Sequence, residues 1–171
     1  MFSIKKRIDK YKQKCKKRNE MKKQKAFSES LLSCGNNPLV FGEPVIFSPD
    51  RLSVGNNFRI NHDVFINARG TITIGDDVTL STGCKIVSTG YDIEHWMNTG
   101  EKKHIDNAPV YIGNHCWVGA GAIILPGVNI SGEYVVIGAG AVVTKDITES
   151  RVLVAGNPAK IVKRYNDNNQ E

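Results

Sequence analysis

The stretch PVYIGNHCWVGAGAIILPGVNISGEYVVIGAGAVVTKD, residues 109–146, places an aliphatic side chain at every sixth position. The series is Ile112, Val118, Ile124 and Ile130, then Ile137 and Val143 after a slip of one residue. A helix returns an apolar position every three to four residues and a simple strand every two, so this beat fits neither. It fits a coil of short strands and turns in which each straight segment sends one aliphatic side chain inward. Stacked coils of that kind bury a continuous apolar column and pair their backbones lengthwise.

Upstream, the same beat runs through Val40, Ile46 and Leu52, through Val54, Ile60 and Ile66, and through Ile74, Leu80 and Ile86. Three hexapeptides make one triangular rung, so these fifteen positions predict five rungs. Glycine follows the aliphatic residue at Gly55, Gly75, Gly113, Gly119 and Gly138, often with Asn or Asp next. These residues are expected to supply the positive φ angles that the corners require. The expected fold is an all-β solenoid over residues 31–164, followed by a polar tail at 165–171.

Between Ile86 and Ile112 the beat stops, and residues 87–111 are predicted to leave the coil as a protruding loop. A loop that long inside a compact repeat is usually functional or disordered. The segment STGYDIEHWMNTGEKKH (88–104) carries His95 and His104, two of the chain's four histidines, with Tyr91, Trp96, Asp92 and Glu94. A neutral imidazole is the side chain best poised to take a hydroxyl proton near neutral pH.

The net charge of +6 divides unevenly. Residues 1–25 hold 12 Lys/Arg against Asp9 and Glu20, a balance of +10; the rest holds 11 Lys/Arg against 15 Asp/Glu, a balance of −4. Ile4, Ile8, Tyr11 and Cys15 recur at helical spacing within this extension, residues 1–30. It reads either as a basic amphipathic helix lying on an anionic membrane or polyanionic substrate, or as a solvated, partly disordered tail. No nucleic-acid recognition motif accompanies the charge, so nucleic-acid binding is not expected. No apolar run approaches the ~20 residues of a membrane span, and no apolar stretch follows the basic start to make a signal peptide. Cys15, Cys34, Cys84 and Cys116 form no CxxC pair, so a reducing cytoplasm and no metal site are expected.

Residues 109–146, with VAGNPAKIVKR at 154–164, resemble the C-terminal half of the hexapeptide-repeat acetyltransferases, which are left-handed parallel β-helix proteins. The resemblance covers residues 36–164 and is nearest to sugar O-acetyltransferases of the galactoside, maltose, nodulation and capsule types. It implies acetyl-CoA as co-substrate, no metal, a homotrimer with active sites between subunits, and a loop histidine as general base. The acceptor is then a sugar or a surface polysaccharide, met in the cytoplasm or at the inner membrane face.

The resemblance also implies site residues. Aligned forward, the family's Thr-Gly-His falls on Thr89-Gly90-Tyr91; aligned backward from GEKKHIDNAPVYIG, its histidine falls on His95. His95 is therefore the expected base, ahead of His104, with Asp92 or Glu94 to orient it. Tyr91 and Trp96 are expected beside the acceptor, and His62 is a further residue for its site. Asn61 matches a sugar-binding asparagine, unless it is only a stacked turn residue. Arg69 stands where the family has an acid, which permits an acidic sugar. Trp117 and Ala120 flank the thioester, with the Ala120 N–H facing the oxyanion, although Trp117 could simply pack. Ala139, Thr144 and Lys145 lie along the cofactor. Lys160, Lys163 and Arg164 supply charge for its phosphates or form an ordinary polar end. His115 is read as structural.

Two alternatives remain at this stage: N-acetylation of an amino sugar or small amine, and a non-enzymatic scaffold. A serine acetyltransferase would need a long helical N-terminal domain. A carbonic anhydrase of this coil type would need three ligand histidines with a His-x4-His pair, which the chain lacks.

Overall fold

The computed structural model describes residues 2–166. Three parallel sheets form the faces of a prism, and the chain visits them in a fixed order, A, then B, then C. Sheet A contains Ser33–Cys34, Leu52–Val54, Ile72–Ile74, Val110–Ile112 and Asn129–Ile130. Sheet B contains Leu39–Val40, Arg59–Ile60, Thr79–Leu80, Trp117–Val118, Val136–Ile137 and Val152–Ala155, and sheet C contains Val45–Phe47, Phe65–Asn67, Lys85–Val87, Ile123–Ile124 and Val142–Val143. Five complete rungs result, the number the beat predicts, although Leu52 and Val54 share one strand and the first strand of sheet A, Ser33–Cys34, carries no on-beat residue. A bridge from Ile130 to Ile147 opens a sixth. Antiparallel pairing of Lys160–Arg164 with Val152–Ala155 then finishes the coil.

Successive rungs pair residues 20 positions apart in the first half (Ser53 with Thr73, Arg59 with Thr79, Phe65 with Lys85). Thr73, however, pairs with Tyr111, 38 positions on, so the third rung carries 18 residues beyond its predecessors' 20. The inward side chains make one dry column. Leu52, Ile60, Ile66, Ile72, Leu80, Ile86, Ile112, Ile124, Ile130 and Ile137 are all fully buried. Val40 and Ile46 in the first rung are only half-buried, because a solenoid's end rung lacks a neighbour on one side.

The end is covered by α1, Phe2–Ser30. Its residues are largely strong helix formers, with neither Gly nor Pro. Phe27 stacks on Phe58 with centroids 6.2 Å apart, and Phe27 and Leu31 are buried there. The extension is thus a helix, and of its predicted apolar stripe Ile8 and Tyr11 are exposed and Cys15 is half-buried. The side chain of Ile4 and residues 167–171 of the polar tail lie outside the described residues.

At the B–C corner glycines supply positive φ, as at Gly83 (70°), Gly121 (65°) and Gly140 (67°), whereas the A–B corner differs from expectation. At the A–B corner the left-handed residue is not glycine but Asn37, Asn57, Asp77, His115, Tyr134 and Arg151, one per rung, with φ between 54° and 57°. The glycines two positions earlier, Gly35, Gly55, Gly75, Gly113 and Gly132, serve close approach instead. A Cβ on Gly113 would lie 2.8 Å from the Gly132 carbonyl oxygen of the next rung. The residue between the two also forms a ladder. The Asn36 N–H donates to Asn56 Oδ1 (2.9 Å), Asn56 N–H to Asp76 Oδ1 (2.7 Å), and Asp76 N–H to Asn114 Oδ1 (2.9 Å).

Candidate active site: two corners and an arm

The predicted protruding loop is an ordered arm at the C–A corner. Gly90–Tyr91 and His104–Ile105 form an antiparallel ribbon, with Tyr91 opposite His104. The ribbon carries α2, Ile93–Thr99, at its tip. Asp92 caps that helix by accepting the His95 backbone N–H at 2.9 Å, and Gly100 ends it at φ 76°. The arm is seated on the coil by Ser88, whose Oγ donates to the Asn67 carbonyl and accepts the Gly70 N–H. The Gly127 N–H donates to the Ala108 carbonyl at 3.0 Å.

The predicted site residues fall into two groups, separated by the width of sheet C. At or beside the B–C corner lie Asn61, Trp117, Ala120 and Ala139, with His62. The Ala120 C=O accepts the Gly140 N–H at 2.9 Å, while among the described residues no acceptor takes its own N–H. The N–H groups of Thr82 and Ala139, one rung on either side, are free in the same way, so this corner presents a row of unspent donors. Trp117 points outward, 53% exposed, and its Nε1–H donates to Ser81 Oγ at 2.8 Å; it takes no part in the core. Asn61 is half-spent, since its Nδ2 donates to the Leu80 carbonyl at 2.9 Å, the behaviour of a turn asparagine. His62 is exposed in a cleft of about 690 Å³ beside α1, two rungs from Trp117.

At the C–A corner lie Arg69, the arm with Tyr91, His95 and Trp96, and the exposed Thr144 and Lys145. Trp96 is half-buried beneath Lys102, whose Nζ sits 4.7 Å from the indole centroid. His95 is anchored through its backbone, and among the described residues no polar side chain pairs with its imidazole. Neither predicted orienting acid reaches it: Asp92 is used as the helix cap, and Glu94 is exposed. Arg69 does not wait free for an acidic sugar, because its Nε lies 3.1 Å from Asp106 Oδ1.

Of the three C-terminal cations, Arg164 is held by a two-pronged pair to Glu149 at 2.6 and 3.1 Å, which raises its pKa. Lys163 lies over the Tyr165 ring at 4.6 Å. Lys160 is exposed and is the freest of the three to meet a phosphate. Among the described residues no group of His, Cys, Asp and Glu has the makings of a metal site. Burial pushes the Cys84 thiol up to about 12 and Cys116 up to about 11, so neither is a nucleophile at neutral pH.

Comparison with known proteins bears on this layout. A family model described as the hexapeptide repeat of succinyl-transferase matches residues 109–145. The galactoside O-acetyltransferase of Escherichia coli (strain K12) is 35% identical over 147 residues, covering 85% of this chain and 70% of the relative. The chain belongs to the hexapeptide-repeat acetyltransferases. Its coil is that family's left-handed parallel β-helix. It superposes with TM-score 0.78 on a galactoside acetyltransferase in complex with coenzyme A, at 32% identity over 86% of this chain and 72% of that one. A maltose O-acetyltransferase from Clostridium difficile 630 gives TM-score 0.76 at 31% identity, over 86% and 76%. Membership carries the reaction class, an acyl transfer that depends on acetyl-CoA.

Sequence reasoning missed Asp106 and Ser81. Asp106 was detectable in principle, since His104-x-Asp106 on an extended segment puts both side chains on one side. The spacing is informative only once the ribbon is known.

Proposed function

We propose that the protein transfers the acetyl group of acetyl-CoA to a hydroxyl of a sugar or surface polysaccharide, in a site completed between copies of the chain. The supporting observation is the outer face of sheet C. Its outward residues Val45, Phe47, Phe65, Val87, Ile123 and Val142 are apolar, with Phe47 55% exposed, and only Lys85 and Asn67 interrupt them. The outward residues of sheet A are Ser53, Thr73, Tyr111 and Asn129. A mostly apolar solvent-facing sheet supports association between copies there. Three prisms that turn sheet C toward a common axis bring the B–C corner of each against the C–A corner of the next. The free Ala120 N–H and Trp117 of one copy then meet the arm, Thr144 and Lys145 of another.

In that cleft a histidine of the arm, placed at His95 by the sequence reading, takes the acceptor's proton. The Ala120 N–H holds the oxyanion, and Ala139, Thr144, Lys145 and Lys160 lie along the cofactor. Tyr91 and Trp96 give the sugar apolar ring faces. The basic α1 projects from the coil's end and draws anionic glycan or lipid toward it. The cysteines are all free thiols, in keeping with a cytoplasmic place of work.

The test is the thermal midpoint with and without saturating acetyl-CoA, alongside the mass in solution. Ligand at 100 times its Kd adds about 2.7 kcal/mol, a rise of several degrees. A trimer whose midpoint rises is the expected result, followed by CoA release with galactosides and maltose as first acceptors. A monomer indifferent to the cofactor overturns the reading. Deleting residues 2–25 is expected to leave turnover on small sugars intact and to weaken salt-sensitive association with anionic vesicles; unchanged association ends the role given to α1.

A further inference from the structure

We infer that His104, oriented by Asp106, is the imidazole that accepts the proton, and that Arg69 positions Asp106 rather than binding the acceptor. The inference rests on the acetyl-transfer reading above and deepens it. Its basis is a chain of contacts that runs along the arm to Arg69; His115 also has a tyrosine and an aspartate, Asp77 at 3.5 Å, but within a turn of the coil. The ribbon fixes Tyr91 opposite His104, reinforced by the Asp92 N–H donating to the Lys103 carbonyl at 2.9 Å. The Tyr91 ring lies against the imidazole, with centroids 4.5 Å apart and planes at 45°. On the other side His104 Nδ1 faces Asp106 Oδ1 at 3.7 Å. That carboxylate is held by Arg69 Nε at 3.1 Å, and the Arg69 carbonyl accepts from Arg51 Nη1 at 2.6 Å. The series therefore runs from the arm back to two rungs of the rigid coil.

An Nδ1–H turned toward a carboxylate leaves Nε2 unprotonated, the tautomer a general base requires. The imidazole is 44% exposed, so a substrate can reach it. The 3.7 Å separation exceeds a hydrogen bond, and contacts of this kind tighten when substrate binds. His62 lies against Gly42 at the α1 end, and His115 is stacked into the A–B corner. His95 has a backbone anchor but no acid at its ring.

In the transfer, His104 Nε2 takes the hydroxyl proton while the acceptor oxygen bonds to the acetyl carbonyl carbon. The tetrahedral intermediate collapses with loss of the C–S bond, and the departing CoA thiolate recovers the proton from the imidazolium. Asp106, Arg69 and Tyr91 are positioning residues.

S-bromoacetyl-CoA tests this without knowledge of the acceptor. Its methylene carbon stands where the acetyl group binds, and a facing imidazole nitrogen displaces bromide to form an N–C bond. Incubation of the full chain, proteolysis and mass spectrometry are expected to find the adduct on His104, suppressed by excess acetyl-CoA. Asp106→Asn is expected to slow that labelling roughly tenfold, the low end for loss of a carboxylate that orients an imidazole, while the midpoint rise with CoA is unchanged. Asp106→Glu recovers part of the rate. An acetyl-CoA-protected adduct on His95 or elsewhere overturns the inference and leaves the function standing. So does a midpoint that rises with CoA when no protected adduct forms. Indifference of the midpoint to CoA overturns the function itself.

Discussion

His115 and His104 have nearly the same neighbours. Each sets its ring against a tyrosine with centroids 4.5 Å apart, and each turns Nδ1 toward an aspartate, Asp77 at 3.5 Å and Asp106 at 3.7 Å. What separates them is the backbone beneath. His115 occupies the left-handed position that Asn37, Asn57, Asp77, Tyr134 and Arg151 occupy in other rungs. Its plane lies 9° from that of Tyr134, and Arg151 covers the far side of the tyrosine at 4.7 Å. It is one member of a stack that continues in both directions. His104 sits in the inserted arm, where no rung above or below supplies an equivalent. The same pair of residue types is therefore locked into a stack at one corner and carried on a projecting arm at another, and local chemistry alone does not tell them apart.

Kinetics separates the two most sharply. His104→Gln is expected to lower the rate of CoA release with a sugar acceptor by ~10²–10⁴-fold, while the midpoint rise with acetyl-CoA persists. His115→Gln is expected to leave turnover unchanged and to cost about 1 kcal/mol of stability through the lost ring stack. Thermal melts and a thiol assay on both variants decide it. Equal kinetic losses would erase the distinction between the corners.

The coil and the arm differ next in what they contribute to stability. Ile124→Ala removes a fully buried side chain from the column and is expected to cost about 2–5 kcal/mol. Gly113→Ala is expected to cost about 1–3 kcal/mol, because the new Cβ meets carbonyl oxygens at 2.8 and 3.1 Å. Ile93→Ala, on the exposed face of α2, is expected to stay within about 0.5 kcal/mol. Urea denaturation of the three ranks them. An Ile93 variant as damaged as Ile124 would make the arm part of the core.

This contrast also explains what was legible in the sequence. The column was readable because one rule, an inward aliphatic every six residues, repeats fifteen times and survives small slips of phase. The A–B corner was misjudged because glycine has two uses, and at Gly113 the tight approach of the next rung matters rather than φ. The arm was visible only as a silence in the beat. Its strands are two residues long, too short for alternation to register, and the partners Tyr91 and His104 are thirteen residues apart. Arg69 and Arg164 were read as available cations, yet Asp106 and Glu149 hold them, pairings that no local pattern announces. The separation of the expected site residues between two corners follows from the rung geometry, which no local pattern announces.

The smallest effect concerns the ladder. Among Asn36, Asn56, Asp76 and Asn114, Asp76 is the one acid. The Asn56 backbone N–H, then the Asn56 side chain, hold its carboxyl below the usual carboxylate value of 3.8; desolvation opposes them and the charge of His115 adds to them. A carboxyl depressed in the folded state adds stability above its unfolded value, and that stability is lost as pH falls through the folded one. The wild-type midpoint is therefore expected to fall more steeply below about pH 4 than that of Asp76→Asn, whose carboxamide oxygen can still accept the Asn56 N–H without titrating. Above about pH 5 the two curves are expected to run parallel. Melts across that range supply the comparison. Parallel curves throughout would mean that the ladder holds its geometry whatever its charge, and that Asp76 could be an asparagine like its neighbours.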